Sequence, residues 1–207
     1  MKQIRETWPD DVRIVAHMRP LPFHDRARPV ALAAIAAHRQ GKFWEFHDLV
    51  FERKKFAEED VRAIAQEIGL DMERWEADRA SAEVAAVVDR HDKACQRIGA
   101  SGTPTLFVNG RKLTGAKPFE EFKKTIDAEI AKVDAIIAAG VPADNAPYVA
   151  MARNDRKVFD HLVRLVPAAK PPPAPKEIWK VKVRGDEPMK GNTKDPLVTI
   201  VEWSDFQ

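Results

Sequence analysis

The sequence predicts an α/β fold in which a small sheet is interrupted by a block of helices. Three observations lead there. Val12-Arg13-Ile14-Val15-Ala16-His17-Met18 and Leu106-Phe107-Val108 are short apolar runs of strand character, rich in branched and aromatic side chains. Between them, residues 25–98 carry apolar residues at spacings of three and four, the period of amphipathic helices. After a proline-rich stretch, two further strand-like runs close the chain, Ile178–Val183 and Pro196–Trp203.

Taken in order, Met1 to Thr7 reads as a short helix with Ile4 buried, and Trp8-Pro9-Asp10-Asp11 as a turn. The strand at 12–18 is ended by Pro20 and Pro22, which cannot donate to a ladder. Residues 25–39 are rich in alanine and free of glycine, which favours a helix closed at Gly41. Lys42 to Lys54 is a second helix, with Phe43, Phe46 and Val50 inward and Trp44 and Phe51 on the same side. Glu58 to Ile68 is a third, presenting Val61, Ile64, Ala65 and Ile68, and Asp71 to Ala80 a short fourth. Ser81 caps a fifth that runs to Ile98, with Glu83 in its positive first turn.

Gly102-Thr103-Pro104-Thr105-Leu106-Phe107-Val108-Asn109-Gly110 then gives a turn, a buried strand and a second turn. Asn-Gly is the strongest short hairpin signal, because a type I′ turn requires positive φ at both central residues. Lys112-Leu113-Thr114 is the return strand. Past Pro118, the residues Phe119, Phe122, Ile126, Ile130, Val133 and Ile137 mark the clearest long helix, ending at Gly140. Pro142 to Arg153 is a shorter helix with Tyr148 and Met151 buried, and Val158 to Val166 is a further helical stretch. Five of the nine residues from Pro167 to Pro175 are proline, a composition for an extended linker that reaches about 28 Å. Two strands are not stable alone in water, so those after the linker must join a sheet.

Composition excludes several functions. A net charge of +2 against 32% charged residues describes a mixed surface and gives no case for nucleic acid. There is no apolar run long enough for a membrane span, and the first residues lack the apolar core of a secretory signal. One cysteine, Cys95, excludes an internal disulfide. It lies on a helix and reads as a buried structural thiol. A reactive thiol would need an exposed, positive setting, for which His91, Lys93 and Arg97 are the nearby groups. The histidines are scattered: His17 and His24 bracket the crossing from strand to helix, and His38 and His47 lie on helices. None has metal-ligand spacing alongside cysteine, so no metal and no cofactor are expected.

Three stretches together resemble the DsbA-like branch of the thioredoxin fold, a family of thiol–disulfide oxidoreductases. Thr103-Pro104 resembles that family's cis-proline loop. Pro20-Leu21-Pro22-Phe23-His24, the alanine-rich run to His38 and Gln40-Gly41-Lys42-Phe43-Trp44-Glu45-Phe46-His47-Asp48 resemble the start of its helical insertion. Val198 to Gln207 resembles the strand that leads into its catalytic Cys-x-x-Cys.

The resemblance implies a thioredoxin-like core at residues 1–166, with an all-helical insertion at about 25–98. A linker follows at 167–176, and two strands at 177–207 complete the sheet of this or a neighbouring domain. The strand order is then permuted, with the first two family strands at the C-terminal end. Exchange of these strands between two chains is the alternative to folding back. A tandem origin, from just after one Cys-x-x-Cys to just before the next, accounts for the order.

The resemblance also implies Thr103 and Pro104 as a loop facing an extended or unfolded polypeptide substrate that bears thiols or disulfides. It implies Glu202 as the acid beneath the cysteines, and a periplasmic or other extracytoplasmic location. Because the cysteine pair itself is absent, the chain alone is expected to be redox-inactive. The rival reading is a non-catalytic peptide-binding or structural module of the same fold.

Overall fold

The computed structural model describes residues 1–164, 189–191 and 198–204. Among these, one compact unit comprises residues 1–15, 105–164, 189–191 and 198–202, and a second comprises 16–104 with 203–204.

The first unit holds most of a five-stranded sheet in the order β3-β2-β5-β1-β4, the last residues of β1 and β5 falling in the second. Its strands are β1 (Val12–Met18), β2 (Thr105–Val108), β3 (Arg111–Thr114), β4 (Met189–Gly191) and β5 (Val198–Ser204). All seven residues of β1 are buried. The β2–β3 hairpin is antiparallel with Val108 opposite Arg111, which leaves Asn109 and Gly110 as a two-residue turn. Their φ values, +43° and +83°, are both positive, as a type I′ turn demands. A side chain at position 110 would also approach Met151 Cγ to 3.1 Å and Met151 O to 3.2 Å, so tight packing adds to the backbone geometry in favouring glycine.

β4 pairs antiparallel with β1, Ile14 opposite Lys190. It falls inside a stretch that composition marks as a polar loop. An edge strand of three residues is held by backbone hydrogen bonds and needs no apolar side chains, so hydropathy gives no sign of it. The proline-rich stretch and the run Ile178–Val183 lie outside the described residues.

Four helices complete this unit: α1 (Lys2–Thr7), α7 (Phe119–Ala138), α8 (Ala146–Asn154) and α9 (Arg156–Phe159). A π-helical turn follows at Asp160–Arg164, where sequence reading continues an ordinary helix. Val133 and Ile136 of α7 pack on Ala146 and Ala150 of α8, with Ile137, Val141 and Val149 at the margin.

The buried face of α7 differs from the apolar stripe. It consists of Ile126, Glu129, Val133 and Ile136, while Phe119, Phe122, Ile130 and Ile137 are only partly covered. Glu129 can enter because each carboxylate oxygen is satisfied. Oε1 accepts from Lys132 Nζ at 2.7 Å and from Arg111 Nη1 at 3.4 Å, and Oε2 accepts from Asn154 Nδ2 at 2.8 Å. Asn154 Nδ2 also donates to the carbonyl of Asn109 at 2.9 Å, tying the hairpin turn to the end of α8. Tyr148 is half-buried, its hydroxyl accepting from Arg13 at 3.2 Å.

The second unit is built on α2 (Ala27–His38), α3 (Phe43–Arg53), α4 (Glu58–Glu67), α5 (Met72–Arg79) and α6 (Ala82–Arg97). Six buried alanines on α2 let its neighbours approach closely. The Asp71 side chain accepts from Arg74 N, and Ser81 Oγ from Val84 N, so each of these caps satisfies one orphan donor. Lys42 Nζ donates to the carbonyls of Ile68 and Gly69 at the end of α4.

At the centre, Trp75 is fully enclosed. Its indole N–H donates to Ala33 O at 3.0 Å, its ring lies 6.5 Å from Phe46, and the Arg79 guanidinium sits 4.6 Å from its centroid. Phe43, Trp44 and Phe46 are all core residues, as the spacing on α3 predicts, whereas Phe51 is turned outward.

Candidate functional site

The segment that leads from α6 into β2 carries Thr103 and Pro104. Helix α6 stops at Gly99, and Ala100 N donates back to Cys95 O at 2.9 Å. Arg19, just past the end of β1, donates from Nε to Ala100 O at 3.1 Å and forms an ion pair through Nη1 with Asp92 of α6. Gln96 holds the other oxygen of Asp92 at 2.7 Å. The start of the segment is therefore anchored from two sides, with Ala100 fully buried.

From there the chain comes to the surface. Ser101 is exposed and Gly102, Thr103 and Pro104 are partly exposed, before Thr105 turns inward as the first residue of β2. The Thr103–Pro104 peptide bond is cis. Thr103 Oγ1 is buried and has no hydrogen-bond partner among the described residues. A short backbone stretch that is partly open to solvent, and rooted in a buried strand, is a surface to which an extended peptide can add.

Cys95 lacks the exposed, positive setting of an attacking thiol. It is buried, its Sγ lies 4.0 Å from Met18 O, and burial pushes its pKa well above that of a free thiol despite the nearby Arg19 cation. Next to it stands a pair of buried histidines, His17 and His91, with ring centroids 4.5 Å apart. Burial, reinforced by the Arg90 cation, lowers the pKa of His17 to about 4. His91 is also held well below the usual imidazole value, by burial first and then by His17, Arg90 and His38. Seventy-four positions separate the two in sequence, and no local pattern announces them. Arg19 was equally invisible: nothing in its neighbourhood marks it as the anchor of a segment that far along the chain.

Glu202 lies on β5, the strand between β2 and β1 in the sheet, and its side chain lies outside the described residues. Among the described residues, no group of three histidine, cysteine or acidic side chains is arranged to hold a metal ion. No helix among them is long and apolar enough to cross a membrane.

A family model described as the DSBA-like thioredoxin domain matches residues 1–127. A probable disulfide bond formation protein D of Bacillus anthracis is 26% identical over 144 residues, covering 64% of this chain and 65% of that protein. A Na(+)/H(+) antiporter NhaA of Herminiimonas arsenicoxydans is 41% identical over 114 residues, which is 55% of this chain and 18% of the antiporter. A second antiporter, NhaA 1 of Salinispora arenicola, is 35% identical over 136 residues, 62% of this chain and 20% of that protein. The chain thus spans about a fifth of the length of these antiporter relatives. No solved structure matches it.

Proposed function

The chain belongs to the DSBA-like thioredoxin domain family, and on that premise we propose that it is a domain for protein thiol–disulfide exchange whose Thr103–Pro104 segment receives extended or unfolded polypeptides. The observation that carries this reading is the anchored, partly exposed backbone at residues 101–104 running directly into buried β2. The relative named as a disulfide bond formation protein supports it. In such exchange a cysteine thiolate attacks one sulfur of a substrate disulfide, a mixed disulfide forms, and the other substrate sulfur leaves as thiolate. A second cysteine then displaces the substrate.

The finer assignments belong to the same proposal. Glu202 on β5 is the acid that assists proton movement at the cysteines. The helices of residues 25–98 are an insertion into a thioredoxin-like core, and the strands of that core are permuted so that β5 supplies the one leading to the cysteine pair. Strand exchange between two chains is a further form such a sheet allows. An extracytoplasmic location, the periplasm in a bacterium with two membranes, suits disulfide chemistry.

The sole cysteine in the chain is buried and held protonated, which favours a second reading in which these residues serve as a non-catalytic peptide-binding or structural module. Both readings agree that the 207-residue chain has no dithiol of its own. In an insulin-reduction assay with excess dithiothreitol, the chain is expected to give precipitation no faster than dithiothreitol alone. Catalytic acceleration by the chain would overturn the exclusion of Cys95 as a nucleophile.

A further inference from the structure

Within the helical unit, we propose that His17 and His91 form an acid-released latch that fastens the end of β1 to α6. Three consecutive residues are fixed there. Met18 N–H donates to His91 Nδ1 at 3.3 Å, and the Cys95 thiol points to Met18 O. Arg19 pairs with Asp92 and reaches Ala100 O. His17 stacks obliquely on His91, the ring planes inclined by 43°. Of these contacts, the ones through His91 depend on an unprotonated imidazole. Nδ1 must keep its lone pair to accept from Met18, so a neutral His91 carries its proton on Nε2. Adding a proton to Nδ1 sets one donor against another, inside a site where the two residues are 8% and 1% exposed.

The surroundings oppose that proton. Arg90 of α6 and His38 of α2 both bear on His91, and Arg90 also bears on His17. Asp92, the acid on the same helix, is occupied by Arg19 and Gln96. Further along the α2–α6 pair, Arg28 and Asp89 pair with each other at the exposed rim. Neither imidazole can therefore become charged where it stands without loss of the contacts around it.

The sign follows from linkage. In the opened chain both rings titrate near the ordinary imidazole value of about 6.5, whereas in the closed unit they do so at lower pH. The opened form binds more protons between those values. The latch is thus fully effective above about pH 6.5 and is lost as pH falls toward 4. His17 alone shifts the closing equilibrium toward the open form by roughly 100-fold at pH 4. The Trp75–Phe46 contact and the indole bond to Ala33 involve no titrating group, so protonation at the latch does not act on them directly. Acid would thereby free residues 17–19 from α6 and uncover Cys95.

The experiment follows three signals between pH 7 and about pH 4 in the full chain: the imidazole resonances of His17 and His91, the hydrogen-exchange protection factor of the Met18 amide, and labelling of Cys95 by dithiodipyridine, which reacts with thiols in acid. Far-UV circular dichroism is followed in parallel. The expected result is that both rings stay neutral to well below pH 6, after which Met18 protection falls and Cys95 labelling rises, each at least tenfold, while helical signal persists. A His17→Phe, His91→Gln variant, in which the glutamine oxygen can accept from Met18, should show neither change. The latch is overturned if either wild-type ring titrates near 6.5, or if Met18 stays protected through pH 4. It is equally overturned if a folded variant loses protection just as the wild type does. The wild-type titration decides alone if the variant does not fold.

Discussion

Replacing Trp75 with alanine should destabilise the helical unit by about 4 kcal/mol, the middle of the range for a large buried aromatic removed from a core. Two effects act together. The side chain is fully enclosed among α2, α3 and α5, so its removal leaves a cavity that the alanine-rich face of α2 cannot fill. The indole N–H also gives Ala33 O, a carbonyl within α2, a second hydrogen bond, and that buried bond is lost when the donor goes. Trp75→Phe separates the two. It keeps most of the volume and loses the hydrogen bond, and should cost about 1–2 kcal/mol. Phe51→Ala is the internal control. That ring is 36% exposed, and its truncation should cost under about 1 kcal/mol. Urea unfolding followed by far-UV circular dichroism gives all three values. A Trp75→Ala cost no larger than that of Phe51→Ala would mean that the core is centred elsewhere.

Glu129→Ala should cost the sheet-bearing unit about 3 kcal/mol, at the low end of the range for breaking a buried charged network. The carboxylate is fully buried and takes bonds from three different elements. Its cationic partners are partly exposed, with the Lys132 side chain at 34% and Arg111 at 50%. They can turn to water when the acid is gone, which keeps the cost from the upper end. Asn154 cannot so readily, because it also holds the carbonyl of Asn109 in the hairpin turn. Glu129→Gln keeps an acceptor for Asn154 and should cost about half as much. Amide exchange at the β2–β3 turn should quicken in Glu129→Ala more than in Glu129→Gln. Equal exchange in the two variants would contradict the role of the acid in holding that turn.

These two residues also mark the limit of what the sequence tells. Trp75 sits on a helix whose existence, length and cap are local matters: Asp71 accepts from Arg74 within one turn. The same holds for α2 to α6 and for the Asn109-Gly110 turn, where residue type alone dictates positive φ. Glu129 is the opposite case. Its burial depends on Arg111, Lys132 and Asn154 arriving from β3, its own helix and α8, and an apolar-face reading gives its place to Ile130. Phe51 fails in the same way, because spacing of three and four admits it to the core face of α3 while the fold leaves it outside. β4 gave no signal, since its pairing with β1 is made by backbone. Of the candidate site, Thr103 and Pro104 are proposed through resemblance to a family. Arg19, which anchors the segment before them, and the His17–His91 contact were not legible in the sequence, being pairings across more than seventy residues.

Residues 101–104 are the proposed place where an extended polypeptide is received. The direct measurement is a backbone-amide titration of the isotope-labelled chain with an unfolded, carboxymethylated polypeptide that can form no disulfide. Saturable shifts concentrated at Gly102, Thr103 and Thr105 are the predicted result. Binding that leaves those amides unmoved, or no binding at all, would contradict it.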